Sequence, residues 1–171
     1  MPIDAPDLRL LFERHSGSLL RFAGGRTSDP EDAVAETFLR AFRSMPPELV
    51  VDEQAQRAWL FRVLRNLTIS AARRRTVTER HFQMHRSAAG PDDSEGGREH
   101  LLDLDLHLAK LPERQRVVLE LRFVHDLDVE ATAAALGLTL QATRALSYRA
   151  LTQLRGSLRE SATTTPGSHT T

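Results

Sequence analysis

Between Trp59 and Arg75 the chain sorts its side chains by face. At about 100° per residue, Leu60, Leu64, Leu67 and Ala71 fall on one side of a helix. Arg62, Arg65, Asn66 and Arg73 fall on the other. One side is built to bury, and the other presents guanidinium groups. The helix runs into Arg73, Arg74 and Arg75, and from Arg57 to Arg86 eight arginines meet a single acid, Glu79. Such a cationic stripe suits a polyanion, of which nucleic acid is the commonest. Trp59 and Phe61 add rings beside the cations and Asn66 an amide, the groups that unstacked bases require. A merely solvated helix face is the plainer alternative at this point.

Leu, Ala, Arg and Glu dominate the composition, aromatics make up 5%, and β-branched residues are sparse outside short patches. Such a chain is expected to be all-α. Its 171 residues allow one domain or two small ones. The lack of cysteine excludes disulfides and thiolate metal sites. No stretch is apolar enough to span a bilayer and the N-terminus lacks a signal-peptide pattern, so a cytoplasmic protein is expected. The formal net charge is zero, but residues 1–56 carry ten acids against six arginines, and the next thirty carry the basic run. Opposed patches, not their average, decide what binds. Lys110 is the only lysine, and arginine suits bidentate phosphate contacts.

Residues 7–23 predict a first helix with Leu8, Leu11, Phe12, Leu19, Phe22 and Ala23 on its apolar side, ended by Gly24 and Gly25. Ser28-Asp29-Pro30-Glu31-Asp32 starts the next, with a capping residue, a first-turn proline and acids at the positive end of the dipole. That helix is expected to bury Val34, Phe38, Ala41, Phe42 and Met45, and Pro46-Pro47 stops it. Its outer stripe of Asp32, Glu36, Arg40 and Arg43 is either a solvated i,i+4 pair with neighbours or a docking face for a partner helix. A loop from Pro46 to about Gln56 leads into the arginine helix.

Gly90 to Gly97 is rich in breakers and reads as a linker. A stripe of Leu101, Leu104, Leu108 and Leu111 opens the second half. Pro112-Glu113 then starts a helix expected to bury Val117, Val118, Leu121 and Phe123. After the turn at His125-Asp126-Leu127, Asp128 caps a short helix from Val129 to Leu136, and Gly137 closes it in the left-handed conformation. Thr139 caps a last helix running to about Leu154. Helix, glycine-containing turn and helix make a helix-turn-helix. The tail from Gly156 loses its apolar period and is expected to be disordered.

In combination these pieces resemble a bacterial sigma factor of the short extracytoplasmic-function (ECF) group, within the sigma-70 family. Three stretches carry the resemblance. Asp29 to Phe42 is similar to the core-polymerase helix, and Trp59 to Leu67 with Arg73-Arg74-Arg75 to the −10 element. Leu108 to Leu119, with Gly137 and the final helix, is similar to the −35 domain. The match runs from about residue 7 to 155, in order. It implies two small helical domains joined by a flexible linker: residues 1–76 as region 2, 77–98 as linker, 99–156 as region 4, and 157–171 as a disordered tail.

The resemblance further implies that Asp32, Glu36 and Arg40 face the clamp helices of the polymerase β′ subunit, and that region 4 meets the β flap. It sets Arg57, Trp59, Arg62, Arg65, Asn66, Arg73 and Arg74, with the loop before them, against a melted −10 strand that gives up a flipped base. Extruding a base costs a few kcal/mol, which stacking and hydrogen-bonding groups must offset. Trp59 either stacks there or holds the helix from its buried side. Thr139, Gln141, Arg144, Ala145, Tyr148 and Arg149 are implied −35 contacts. The implied partners are core RNA polymerase, promoter DNA and an anti-sigma protein; no membrane, metal, cofactor or catalytic residue is implied.

The chain also departs from the family. Ser70 stands where aspartate is common, Ala35 where glutamine is, and Leu146 where arginine is. The inner positions of the last helix are Thr143 and Ser147, whose hydroxyls weaken packing unless they bond back to the preceding turn. Two other functions stay open on the sequence. One is a stand-alone helix-turn-helix regulator of duplex DNA, which would not need the arginine helix. The other is a metal-dependent helical enzyme around His81, His85, His100 and His107, which no nucleophile or paired carboxylate accompanies.

Overall fold

The structure, a computed structural model, describes residues 5–78, 104 and 106–163, with side chains for 6–72, 104 and 106–160. Its regular elements are helical: α1 (Ala5–Ala23), α2 (Pro30–Ser44), a 3-10 turn (Pro47–Leu49) and α3 (Glu53–Thr78) in the first half. The second half holds α4 (Glu113–Leu119), a π-helical continuation (Glu120–Val124), α5 (Val129–Leu136) and α6 (Leu140–Thr163). The all-α architecture is as expected. Residues 79–98 of the linker, and with them His81 and His85, lie outside the described residues, as does His100.

The local causes are legible in the side chains. Gly25 takes φ 78°, and the Arg26 guanidinium donates to the Phe22 carbonyl at 2.7 Å, satisfying an orphan acceptor at the end of α1. α2 starts at Pro30 with Glu31 and Asp32 in its first turn, but the Asp29 side chain caps no helix N–H. The Ser28 hydroxyl donates to Asp29 instead, so proline and the acids do the starting. The Asp52 carboxylate accepts from the Gln54 and Ala55 N–H groups, which begins α3 inside the stretch expected to be loop. Asp128 caps α5 through the Ala131 N–H at 2.6 Å, Gly137 closes it at φ 66°, and the Thr139 hydroxyl accepts from the Ala142 N–H at the start of α6.

The final helix corrects the expected tail. α6 runs past Leu154 to Thr163, so residues 157–163 are helical, and only 164–171 lie outside the described residues. His107, buried near the start of the second half, meets the Ser157 hydroxyl at 2.5 Å and ties this extension down.

α1, α2 and α3 pack together around Leu19, Phe22, Phe38, Leu60 and Leu64, and α3 packs more extensively still against α5. Val117, Leu121, Leu127, Ala131 and Ala135 of the second half therefore belong to the same core as the first half. A second cluster, Leu111, Val118, Leu119 and Ala150, joins α4 to α6. Three expected core rings are corrected. Phe12, Phe42 and Phe123 are 50%, 40% and 56% exposed: Phe12 covers the buried Phe38 from outside, ring centroids 4.9 Å apart, and Phe123 lies under the Arg122 guanidinium at the surface.

Two glycines should respond oppositely to alanine. At Gly137 a Cβ meets nothing within 4 Å, so only its positive φ is at stake. Gly137→Ala is expected to cost about 1–2 kcal/mol, lowering the Tm by several degrees in thermal denaturation. Gly156 is exposed inside α6 with equal space. Gly156→Ala should gain roughly 0.5–1 kcal/mol.

Candidate nucleic-acid interface

Trp59, Arg62 and Asn66 share one stripe of α3; Arg62 and Asn66 are exposed and Trp59 is half-buried against the core. Arg65 is half-buried, and the side chains of Arg73 and Arg74 lie outside the described ones. Arg57 is placed differently. It lies one turn before Phe61 and two turns before Leu64, on the buried stripe, and its side chain is only 14% exposed. Its guanidinium donates to the His125 carbonyl, with the Glu53 carboxylate 3.9 Å away. Phe61, expected as a stacking group, is 2% exposed and belongs to the core.

The two halves meet around His125. Its ring sits 5.9 Å from Phe22 and 4.8 Å from Phe61, centroid to centroid. Arg26 pairs with Glu120 through both oxygens, at 2.5 and 3.1 Å, and lies 4.1 Å over the Phe22 ring. The Gln54 side chain clasps the opposite backbone, donating to the Asp126 carbonyl at 3.2 Å and accepting from the Asp128 N–H at 3.1 Å. The π-helical turn brings this about: the His125 N–H bonds the Glu120 carbonyl at 3.0 Å, which aims both residues at the first unit. The His125 ring is buried with its Nε2 3.6 Å from the Glu120 carboxylate. Arg26, Gln54, Glu120 and His125 escaped the sequence reading, since no local pattern marks a pair 94 positions apart.

The same seam holds a cleft of about 330 Å³, lined among others by Arg65, Thr68, Arg114, Arg116, Leu138 and Leu146. Burial alone would push the Glu120 carboxyl up; the facing His125 imidazole and Arg26 guanidinium outweigh it and hold it below the ordinary carboxylate value. His15, buried under α3, is held below the ordinary imidazole value by its burial and then by the charge of Arg57.

On α6, Gln141, Arg144, Ala145, Tyr148 and Arg149 are exposed, with Thr139 at the cap and Tyr148 at 71%. Thr143 and Ser147 are buried and donate back to the Thr139 and Thr143 carbonyls at 3.0 and 2.8 Å, so the atypical inner hydroxyls are satisfied within the helix. Arg144 lies 3.8 Å from Glu130 of α5. On α2, Asp32 is exposed and Glu36 pairs with Arg40 at 2.8 Å in solvent. Leu39 and Phe42 lie beside them, 49% and 40% exposed, an apolar strip that periodicity alone had buried in part.

Two family models match, sigma-70 region 2 over residues 11–78 and sigma-70 region 4 over residues 107–156. The ECF RNA polymerase sigma factor SigL of Mycobacterium tuberculosis is 31% identical, over 92% of this chain and 92% of its own. The chain belongs to the ECF sigma factors. SigV of Bacillus subtilis, an RNA polymerase sigma factor, is 27% identical over 82% of this chain and 84% of its own. Among solved structures, CnrH in complex with the cytosolic domain of CnrY matches with a TM-score of 0.59 and 25% identity, over 90% of this chain and 88% of that one. The sigma factor RpoE in complex with the anti-sigma factor NepR, from Bartonella quintana, gives 0.62 and 24%, over 90% and 97%. A lone helix-turn-helix regulator would not carry region 2, so that alternative falls away. In this sigma factor the one described member of the histidine group, His107, is engaged by Ser157. No described helix is long and apolar enough to cross a membrane.

Acid should loosen the fold in two stages. The unfolded chain takes a proton at His15 that the fold refuses, so stability falls as pH drops from about 6.5 toward the depressed folded value. Glu120 adds stability above the ordinary carboxylate value and loses it as pH falls through its own lower one. Urea titrations across that range should show both stages, with His15→Gln flattening the upper and Glu120→Gln the lower.

Proposed function

We propose that the chain binds core RNA polymerase and directs promoter-specific initiation, with no chemistry of its own. Region 2 (residues 1–76) reads and melts the −10 element and region 4 (residues 99–156) reads the −35 element. One observation carries this: two separate exposed stripes suited to DNA, Arg62–Asn66 on α3 and Gln141–Arg149 on α6, coexist with a charged and apolar face on α2. Asp32, Glu36 and Arg40, with Leu39 and Phe42, dock on the β′ clamp helices, and region 4 meets the β flap. Asn66 takes the flipped base, Trp59 supports it from the rim of the core, and Arg62, Arg65, Arg73 and Arg74 take phosphates. On α6, Arg144 and Arg149 hold the backbone, while Gln141 and Tyr148 reach toward base edges. An anti-sigma protein is a further partner; the similarly folded RpoE is complexed with one. The protein acts in the cytoplasm, where polymerase works.

Run-off transcription with core polymerase on genomic templates tests this. A promoter-dependent transcript is expected, and its absence on every template would sink the idea. Glu36→Arg should weaken co-elution with core polymerase at least tenfold, about 1.4 kcal/mol, while circular dichroism stays unchanged. Asn66→Ala should slow open-complex formation on duplex promoters by roughly tenfold, without loss of polymerase binding. Equal loss on pre-melted templates would place Asn66 in base capture and not in opening.

A further inference from the structure

Four arginines line the 330 Å³ cleft, Arg26, Arg65, Arg114 and Arg116, together with a single acid, Glu113. Two of the four are engaged: Arg26 pairs with Glu120, and Arg116 with Glu113. Among the described residues nothing pairs with Arg65 or Arg114, so two positive charges open on the cleft without a counter-charge. Its other walls are mostly apolar, with Ile69 on α3, Leu138 in the turn and Leu146 on α6. Next to such walls water screens poorly, and an unpaired guanidinium attracts an anion more strongly than it does on open surface. Arg65 is half-buried and has already given up part of its hydration.

We propose that this cleft binds a small organic phosphate monoester with an apolar body, its head drawn to Arg65 and Arg114 and its chain lying along Ile69, Leu138 and Leu146. Size, charge and the kinds of group present select that class. A cleft of about 330 Å³ stands at the small end of ligand pockets, which run from roughly 300 to 1,000 Å³. A phosphate monoester carries roughly −1.5 to −2 charge near neutral pH, which answers two guanidiniums where a carboxylate answers one. The planar fork of arginine matches its oxygens. A base or a sugar finds less here. Among the described lining residues the one hydroxyl, that of Thr68, donates to the Arg65 carbonyl at 2.9 Å, and no side-chain amide joins it. The site stands on the cleft alone, whatever the chain does at promoters.

Isothermal titration calorimetry of the full chain with octyl phosphate, kept below its micelle concentration near neutral pH, tests this. Octanoate, octanol and inorganic phosphate are titrated beside it, and R65Q, R114Q and R149Q are compared with the wild type. The expected result is saturable binding of one octyl phosphate per chain, weakened about tenfold in R65Q and in R114Q and unchanged in R149Q, whose arginine lies on the exposed face of α6. Octanoate, octanol and inorganic phosphate should each bind at least tenfold more weakly than octyl phosphate. Arg114 is exposed in the first turn of α4, so R114Q decides the matter if circular dichroism shows that R65Q loses helicity. No saturable binding overturns the proposal, as does an equal loss in R149Q, which would mean attraction to the whole cationic surface. Inorganic phosphate binding as tightly would remove the apolar walls from the site, octanol the arginines, and octanoate the phosphate; each of these overturns it too.

Discussion

α3 packs on two sides at once. Leu60, Phe61 and Leu64 are at most 2% exposed because α1 and α2 cover them from one direction and the second unit from another. A helix packed in this way cannot move without disturbing both units. The core that holds region 2 together therefore also holds region 4 in place, and between Ala58 and Ile69 the exposed positions left to α3 are Arg62 and Asn66. That is why Arg62 and Asn66 face solvent while Arg57, a turn and a half earlier, is committed to a backbone carbonyl.

The seam adds polar contacts to the apolar core that the two units share. Within each unit, burial is of Leu, Val, Ala and Phe, with hydroxyls such as those of Thr37, Thr143 and Ser147 bonded to their own helix. Across the seam the apolar burial continues through Val117, Leu121, Leu127, Ala131 and Ala135, and to it are added an ion pair about one-fifth exposed, a carboxamide on backbone groups, and an imidazole among rings. Pairs of that kind return little net energy once desolvation is counted, yet they penalise any misfit heavily. The apolar part holds the two units together, and the polar part defines one arrangement sharply.

Much of this was legible in the residues. Capping at Asp128, the left-handed Gly137, the stop at Pro46 and the helix-turn-helix all follow from local chemistry acting over a few positions. The misplacements share a cause. Phe12, Phe42 and Phe123 sit at positions a helical wheel assigns to the core, and only the packing of the other helices decides that these rings stay outside it. The stretch beyond Gly156 has no apolar period to advertise a helix, yet His107 holds it through Ser157. Arg57 misled for a different reason. Its place on the Phe61–Leu64 stripe was visible once α3 is taken to begin at Glu53, but charge argued it outward.

Taken alone, the residue order determined the all-α class, the two units and their order, the stripe of Arg62 and Asn66, and the recognition helix of region 4. Those properties come from spacing within single helices, where each residue's neighbours are known in advance. The tertiary structure decided which unit covers which, and with it the roles of Arg26, Gln54, Glu120 and His125. Their partners lie dozens of positions away, and the energy that selects them comes from burial against a surface that exists only after the helices have met.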